Sequence, residues 1–478
     1  MLFNSLEFLV FLPIALALHF ALPARFRWIF LLVASYYFYS SWRVAYVVLL
    51  LGSTLTDYIC GFRIERSEDA IVKKRYLYVS LIVNLGLLFT FKYFDFINGT
   101  LRMFLHAMGV PYGVPDLSLT LPVGISFYTF QTLGYTIDVY KGRVPAEKSL
   151  LRFALYVSYF PQLVAGPIER ARNLLPQLRA NHAFAYARVR DGLALILWGL
   201  FKKVVIADRI AEYTNTVFAD PDMFQGAQIW LADYFFLIQL YCDFSGYTDI
   251  ALGTALVMGV RLMENFRQPL LARNIHDLWN RWHISLTTWF RDYLYPLTGG
   301  RRSRNRMYWG ILVVFLVNGL WHGANWTFAA FGLLHGLSLV VYYYVRGSLP
   351  ALYRITGLQR VPRIAAVLEN ILVLGVFVFG GNFFRATSLG DSLTLIRNAF
   401  RFQGTGPLNL FVYRGDFWLS LGFIVLLYAT EWIGAKHGLG RWTAARSMPV
   451  KWALVGAGLA GVVFLGKWDA VDFIYFQF

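Results

Sequence analysis

Charged residues are scarce in this sequence of 478 residues. Asp, Glu, Lys and Arg make up 15% of the chain, whereas soluble proteins contain about 25%. Hydrophobic residues make up 58% of the chain, and the mean hydropathy is +0.51. Apolar stretches of about 20 residues recur from end to end, each long enough to cross the core of a bilayer. The composition excludes a set of soluble domains and predicts an all-α polytopic membrane protein.

Cysteine and acidic residues are also rare. The two cysteines, Cys60 and Cys242, lie in apolar runs and have no metal-binding spacing, and nothing indicates a disulfide. Only 27 acidic residues accompany 44 Lys and Arg, which gives a formal net charge of +17. In a membrane protein this excess is typical of cytoplasmic loops, and a phosphate-rich ligand on that side is a compatible second reason. We therefore expect contact with membrane lipids, no nucleic-acid partner and no metal.

The basic residues predict how the chain is oriented in the membrane. No Lys or Arg precedes the first apolar run, 6–22, so we interpret it as an uncleaved span that starts outside. The basic loop between Arg63 and Arg75 is predicted to be cytoplasmic. The last span then places the tail, 467–478, outside. We expect a single membrane domain over residues 1–478, with about 11–12 spans.

The middle of the chain is less regular. Residues 153–168 contain Pro161 and Pro167, which break a spanning helix. We interpret this stretch as a re-entrant or interfacial element, because irregular backbone at membrane depth must be buried in protein or line a cavity. The run 193–218 is interrupted by charged residues, and the run 229–260 contains aspartates.

Polar side chains within the bilayer are costly and are therefore functional candidates. Asn318, His322 and Asn325 follow one another at i, i+4 and i+7, which predicts one face of a helix. A neutral histidine at membrane depth suits a general base, since imidazole titrates near neutral pH. Gly319 and Gly323 would allow backbone or ligand to approach closely. The alternative is a histidine that hydrogen-bonds a neighbouring helix and fixes packing.

The segment 261–306 is rich in arginine. It has nine arginines, three acidic residues and no lysine, and its tryptophans lie among the arginines. Arginine suits bidentate phosphate contacts, so the segment predicts a surface for a nucleotide-bearing donor such as a coenzyme thioester, with Arg281 and Arg291 as candidates. A cytoplasmic loop above anionic lipids is the alternative.

Two further groups of residues are unusual. Asp243 and Asp249 lie in one apolar run together with tyrosines and a serine, which indicates either a wet cavity or a buried network that fixes packing. The chain ends on Phe473-Ile-Tyr475-Phe-Gln-Phe478, which is very aromatic for a solvated tail. By composition alone this end is an interfacial anchor.

Together these motifs resemble the membrane-bound O-acyltransferase (MBOAT) family, and most closely its bacterial alginate O-acetylation branch. The resemblance runs along most of the chain. One departure is the run YPLTGG at 295–300, where an Ile-Pro-Leu-Gly-Gly type of run is expected. The matching motifs are LPVGISFY at 121–128, YFPQLVAGP at 159–167, DFSGYTD at 243–249, WHISL at 282–286, WFRDYL at 289–294, and LWHGA at 320–324 followed by His335.

The resemblance implies a ring of tilted helices around re-entrant central elements, with a funnel from each side. It implies that His322 is the central histidine and that His283 is a second one toward the cytoplasmic funnel. His335 matches a further recurrent position, and Tyr475 matches a proposed acyl relay. Candidates for lining the cavity are Asn318, Asn325, Asp243, Asp249, Arg281, Arg291 and Trp321.

The function implied by the resemblance is O-acetyl transfer across a bacterial inner membrane, with both termini periplasmic. Acetyl-CoA would be the donor, with no permanently bound cofactor. A periplasmic acetylesterase-like (SGNH-type) partner would pass the acetyl group to a secreted polysaccharide such as alginate. One alternative is transfer of D-alanine or another acyl group from a carrier protein, although the tyrosine motif then usually lies on a separate subunit. Another is a transporter or flippase, although no inverted repeat is visible.

Overall fold

The computed structural model contains only helices and connecting segments in the residues it describes, which are 1–164, 166–300, 302–402, 406–468 and 473–476. This agrees with the predicted all-α class. The chain divides into two compact units. The first comprises Met1–Ile196 and Thr248–Met263, and the second comprises Leu197–Tyr247 and Glu264–Phe478.

The first unit contains the N-terminal helices and a π-helical turn at Phe89–Tyr93. Helix α10 runs on into the second unit. The helices are α1 (Leu6–Ala21), α2 (Ala24–Ser40), α3 (Val44–Arg66), α4 (Ala70–Leu88), α5 (Phe94–Ala107), α6 (Ile125–Tyr140), α7 (Leu150–Ser158), α8 (Phe160–Leu163), α9 (Ala171–Arg179) and α10 (Tyr186–Leu200).

A buried polar network joins α3, α4 and α6 within this unit. The Asp57 carboxylate is fully buried and accepts hydrogen bonds from the Ser80 hydroxyl, from Asn84 Nδ2 at 2.7 Å and from Thr136 Oγ1 at 2.9 Å. The Asn84 amide oxygen accepts in turn from Ser53 Oγ at 2.6 Å. Polar residues in these helices are therefore paired with one another, as burial in an apolar environment requires.

The second unit contains the remaining helices, and the last third of α12 belongs to the first unit. π-Helical turns lie at Phe201–Ala207 and Phe290–Leu294. The helices are α11 (Asp208–Ala219), α12 (Ala227–Val257), α13 (Ile275–Arg281), α14 (Ile284–Trp289), α15 (Arg304–His322), α16 (Trp326–Val345), α17 (Leu349–Ile355), α18 (Pro362–Arg385), α19 (Leu389–Ala399), α20 (Arg414–His437), α21 (Leu439–Ala444) and α22 (Met448–Leu465).

In the part of the chain that the structure describes, six helices are long and apolar enough to cross a membrane by length and composition alone. Helix α1 is apolar but has only 16 residues. Helix α12 has 31 residues but carries three aspartates. The six candidates are Val44–Arg66, Ala70–Ala107, Trp326–Val345, Pro362–Arg385, Arg414–His437 and Met448–Leu465.

The bounds of several predicted elements differ from the structure. The predicted span 76–97 is part of one continuous helical rod over Ala70–Ala107. In 193–218 the charged residues interrupt the apolar sequence but not the helix, because the chain stays helical from α10 through the π-helical turn into α11. In 153–168 the helical break falls at Tyr159, before Pro161, which lies in the short helix α8. Here the structure confirms a broken helix, while its re-entrant character stays a prediction.

Candidate functional site

His322 is the last residue of α15, and its position follows from close packing of α15 against α16. A Cβ atom at Gly319 would lie 2.1 Å from Phe328 O, and one at Gly332 would lie 2.2 Å from Phe315 O. Glycine at both positions therefore lets the two helix backbones touch. The expected close approach beside His322 is present, and it is made by the backbone of α16.

Aromatic rings surround the His322 imidazole, which is 5% exposed. Its ring centroid lies 5.2 Å from that of Phe384, 5.4 Å from that of Tyr475 and 6.5 Å from that of His283. The neighbouring Trp321 ring packs against both His283 and Tyr475, with ring centroids 5.7 Å and 6.3 Å apart. Four of the predicted site residues, far apart in the sequence, therefore meet in one cluster.

The described part of the C-terminal segment is buried in this cluster. Phe473 and Ile474 are 0% and 1% exposed. The Tyr475 ring lies 4.5 Å from that of Phe244 on α12, measured between centroids. Asp472, Gln477 and Phe478, which belong to the predicted tail, lie outside the described residues. Within the terminal aromatic motif, the described side chains Phe473, Ile474 and Tyr475 thus pack inside the protein, and Tyr475 lies beside both site histidines.

His283 lies between α13 and α14 in a strained backbone conformation. Its φ of 46° and ψ of 52° are in the left-handed region, which non-glycine residues rarely adopt. The Oδ1 atom of Asn265 accepts from the Ser285 backbone N–H at 3.2 Å and from Ser285 Oγ at 2.9 Å, and it lies 3.0 Å from His283 Nδ1. Because this oxygen acts as an acceptor, the proton of a neutral His283 lies on Nδ1, and Nε2 is the basic nitrogen.

Asp243 belongs to a buried ionic cluster that reaches the C-terminal segment. Lys203 Nζ lies 2.8 Å from both Asp243 Oδ1 and Asp208 Oδ1. The other Asp243 oxygen accepts from the Ile474 backbone N–H at 2.8 Å. The predicted polar network around 243–249 is thus present at Asp243, whereas Asp249 is partly exposed and belongs to the other unit.

His335 lies apart from the central cluster. It is fully buried on α16 between the rings of Trp279, at 5.2 Å, and Phe377, at 5.2 Å. Phe331 contacts both His335, at 4.5 Å, and His322, at 6.2 Å, so one ring separates the two histidines. Within the described ranges, no three His, Cys, Asp or Glu side chains group so that they could hold a metal ion.

The predicted helical face with Asn318, His322 and Asn325 is wrong at Asn325. Helix α15 ends at His322, so Asn325 is not on the same helix. Asn325 instead caps α16: its Oδ1 accepts from the Thr327 N–H at 3.1 Å, and its Nδ2 donates to Thr387 O at 3.1 Å. Asn325 is thus the N-cap of α16, while its place in the lining of a cavity stays a prediction. Asn318 is buried one turn before His322, as expected.

Four of the eight described arginines of 261–306 form ion pairs with carboxylates of this chain. Arg281 pairs with Asp277 at 2.7 Å, and Arg291 pairs with Asp292 at 2.9 Å. Arg267 and Arg273 also form ion pairs, with Glu264 and Glu369, while Arg301 lies outside the described residues. A phosphate ligand would have to share or displace these carboxylates, so the predicted donor surface stays a prediction.

Sequence reasoning missed several residues of the site. Asn265 precedes His283 by 18 residues in an irregular stretch, and no spacing rule links the two. Lys203 was visible as a charge in an apolar run, but its partner Asp208 is five residues away, which is not a neighbouring position on an α-helix. Phe244 and Phe384 had no signal beyond general aromatic content.

Comparison with known proteins shows the family to which the chain belongs. Residues 144–386 match the model of the membrane-bound O-acyltransferase family. The chain is 38% identical over 433 residues to the probable alginate O-acetylase AlgI of Pseudomonas aeruginosa, which covers 90% of this chain and 80% of the relative.

Two other relatives act on different polymers according to their names. The chain is 33% identical over 450 residues to the peptidoglycan O-acetyltransferase of Helicobacter pylori, which covers 87% of this chain and 83% of the relative. It is 30% identical over 240 residues to the teichoic acid D-alanyltransferase of Bacillus subtilis, which covers 48% of this chain and 60% of the relative. The family model covers half of the sequence, and the Pseudomonas and Helicobacter relatives cover most of it. The chain therefore belongs to the membrane-bound O-acyltransferase family and is a multi-pass membrane acyltransferase.

Proposed function

We propose that this enzyme transfers acetyl groups from cytoplasmic acetyl-CoA across the inner membrane, for O-acetylation of a secreted polysaccharide such as alginate. The observation that carries the proposal is the position of Tyr475, whose ring centroid lies 5.4 Å from that of His322. A hydroxyl supplied by the chain itself is thereby next to a buried histidine, as an acyl relay requires.

In the proposed first step His322 acts as general base. A phenol is a weak nucleophile and needs a base to accept its proton as it attacks. Tyr475 Oη attacks the thioester carbonyl carbon while its proton moves to the imidazole. The C–O ester bond forms, the C–S bond breaks, and the coenzyme thiolate leaves with the proton from the imidazolium. The product is an acetyl-tyrosine ester at the end of the chain.

In the proposed second step the acetyl group leaves on the opposite side of the membrane. A serine hydroxyl of a periplasmic acetylesterase-like partner attacks the tyrosyl ester, which restores the Tyr475 phenol and leaves an acetyl-serine on the partner. The partner then acetylates the polysaccharide. The charged coenzyme stays in the cytoplasm, because only the small acetyl group crosses. Both termini of the enzyme are periplasmic in this arrangement.

His283 is a second candidate for proton transfer. Its Nδ1–H is held by Asn265 Oδ1, which leaves Nε2 as the basic nitrogen, and its ring lies 6.4 Å from that of Tyr475. Trp321 lies against both histidines and limits where the acyl chain can lie. In this role His283 supports the transfer from the side facing the donor.

The test is a single-turnover assay with purified protein in nanodiscs and radiolabelled acetyl-CoA. We expect base-labile label on Tyr475, located by mass spectrometry, in the unmodified protein. His322→Ala and Tyr475→Phe should each lose the label. His106→Ala and Tyr344→Phe are matched controls, because both side chains are exposed whereas His322 is buried.

The outcome also separates acetyl transfer from D-alanyl transfer. Label from a D-alanyl carrier thioester, but none from acetyl-CoA, would replace the acetyl donor with a carrier protein. Retention of full transfer in His322→Ala would remove the general-base role. Full transfer to a partner by Tyr475→Phe would instead indicate direct attack by the partner serine.

A further inference from the structure

The C-terminal segment is fixed by main-chain contacts on both sides of residues 469–472. Before them, the Lys467 N–H donates to Val204 O at 2.8 Å. After them, the Ile474 N–H donates to Asp243 Oδ2 at 2.8 Å. Neither acceptor belongs to a residue with a proposed catalytic role. The position of Tyr475, next to Ile474, therefore depends on groups that do not touch the reacting atoms.

Both oxygens of the Asp243 carboxylate, which accepts from the Ile474 N–H, have a partner. Asp243 is 3% exposed in its side chain and Lys203 is 0% exposed, with Lys203 Nζ 2.8 Å from Asp243 Oδ1. One carboxylate oxygen thus meets the ammonium and the other meets the Ile474 N–H. A buried carboxylate is tolerated only when its charge and its lone pairs are matched. The ion pair and the docked segment consequently stabilise each other.

The π-helical turn explains how Lys203 reaches two carboxylates. In Phe201–Ala207 the hydrogen bonds close over five residues, and the Asp208 N–H donates to Lys203 O. An α-helix has 3.6 residues per turn, which would direct residues five apart to different faces. The wider π-helical turn brings Lys203 and Asp208 together. Val204, whose carbonyl holds Lys467, belongs to the same turn.

The beginning of the segment is held by a second ionic group. Lys467 Nζ lies 2.8 Å from Asp416 Oδ2, and Arg209 binds both Asp416 and the backbone oxygen of Leu465. Arg209 lies one residue beyond Asp208 at the start of α11. Among the charged residues that interrupt the apolar run 193–218, Lys203, Asp208 and Arg209 thus belong to the two ionic groups that hold the end of the chain. Lys202 instead donates to Ser245 Oγ at 2.8 Å.

We propose that the Lys203–Asp243 ion pair, presented by the π-helical turn, is an anchor that positions the C-terminal segment so that Tyr475 lies beside His322. Lys203 and Asp243 are positioning residues, and they act through the main chain at Ile474. The catalytic meaning of the anchor rests on the proposed relay function of Tyr475. The docking of the segment does not rest on it.

Helix α12 offers a matched control residue. Asp233 lies ten residues before Asp243 on the same helix, is 1% exposed, and has its own buried partner, Asn382 Nδ2, at 2.9 Å. Replacement of Asp233 removes a buried carboxylate of the same kind without touching Ile474. Any effect that Asp243 variants show and Asp233 variants lack therefore belongs to the anchor.

The experiment measures docking and transfer separately in the full chain in nanodiscs. Docking is read from hydrogen–deuterium exchange of the C-terminal peptide that contains the Ile474 amide. We expect Asp243→Ala and Lys203→Met to speed this exchange at least about tenfold, because a charge-assisted hydrogen bond is lost. Asp243→Asn keeps an oxygen acceptor and should give a smaller increase. Asp233→Asn and Tyr475→Phe should leave the exchange unchanged.

Transfer is read as kcat and as KM for acetyl-CoA in the same variants. Faster exchange with a matching loss of kcat and an unchanged KM supports the anchor together with the relay. Faster exchange with full transfer supports the anchor and contradicts the proposed relay role of Tyr475. Unchanged exchange in Asp243→Ala and Lys203→Met overturns the anchor, whatever the activity. Equal acceleration in peptides of α16 would also overturn it, since that marks general destabilisation.

Discussion

Individual hydrogen bonds decide how the site histidines are presented. Asn265 is the clearest case, because its side-chain oxygen is shared by the His283 imidazole and both polar groups of Ser285. These bonds hold His283 in a left-handed conformation that costs energy in isolation. The strain is maintained by a residue that the sequence did not identify, since neither its type nor its spacing is distinctive.

Asn265→Ala should destabilise the protein and slow acyl transfer. The substitution leaves three buried donors without their acceptor, a loss of about 1–3 kcal/mol. Ser285→Ala removes only one of the three bonds and is the matched control. Thermal unfolding in detergent and the transfer rate with acetyl-CoA are the two measurements. Equal effects of the two substitutions would contradict the role assigned to Asn265.

Arg291→Ala tests the donor surface predicted for 261–306. Arg291 is exposed and paired with Asp292, so its contribution to phosphate binding is limited by solvent screening. We expect the KM for acetyl-CoA to rise about fivefold at low salt with kcat unchanged, and this difference to vanish at high salt. Asp292→Asn should lower the KM, because it removes a competing carboxylate.

The control for this arginine is Arg102→Ala. Arg102 forms an exposed pair with Asp116 in the loop predicted to be outside. Its removal should leave the KM for acetyl-CoA unchanged. A similar increase in both variants would indicate a general effect of net charge rather than a local phosphate contact.

At the scale of elements, the sequence indicates where helices pack closely, because glycines mark the contact. It does not indicate where a π-helical turn forms. Gly319 and Gly323 indicated a close approach beside His322, and α16 makes it. The sequence showed only that charged residues interrupt the apolar run around Phe201–Ala207, since Lys203 and Asp208, five residues apart, are not neighbours on an α-helix. Only the partners supplied by α12 and the C-terminal segment make that turn favourable.

Gly319→Ala should disturb the site through the α15–α16 contact. The added Cβ would lie 2.1 Å from Phe328 O, which is backbone and cannot move aside cheaply. We expect a loss of about 1–3 kcal/mol in stability, as for overpacking, and slower transfer because His322 lies one turn away. Gly375→Ala on α18 is the control, since no atom lies within 4 Å of its added Cβ.

The control substitution Gly375→Ala also has an expected effect on stability. Alanine in a helix interior is more favourable than glycine by about 1 kcal/mol, so this variant should be as stable as the parent or slightly more so. Melting temperatures in one detergent compare the two substitutions. A Gly319→Ala variant as stable as Gly375→Ala would show that the helices can separate without cost.

At the scale of the whole molecule, family membership removes the transporter alternative in favour of an acyltransferase. The orientation in the membrane stays a prediction from the basic loops. Basic residues flank the loop between α3 and α4, with Arg66 at the end of α3 and Lys73 and Lys74 near the start of α4. The loop between α5 and α6 is rich in glycine and proline. The two loops should therefore lie on opposite sides.

Single cysteines test this orientation. Glu68→Cys, between α3 and α4, should resist a membrane-impermeant maleimide in intact spheroplasts and react after lysis. Gly113→Cys, between α5 and α6, should react in both. The native Cys60 and Cys242 are buried and should give little background. Labelling of both positions in intact spheroplasts would contradict the predicted orientation.

The sequence alone determined the class, the family and part of the site, namely the residues His283, Trp321, His322 and Tyr475. Apolar length is a local property, and the motifs around His283, His322 and Tyr475 are short enough to recognise in the chain. The tertiary structure decided which of these residues touch. It separated Asn325 from His322, paired Arg281 with Asp277 and brought Tyr475 to His322. Such contacts depend on helices distant in sequence and on an irregular turn, because buried charges take their partners from the fold and not from their neighbours along the chain.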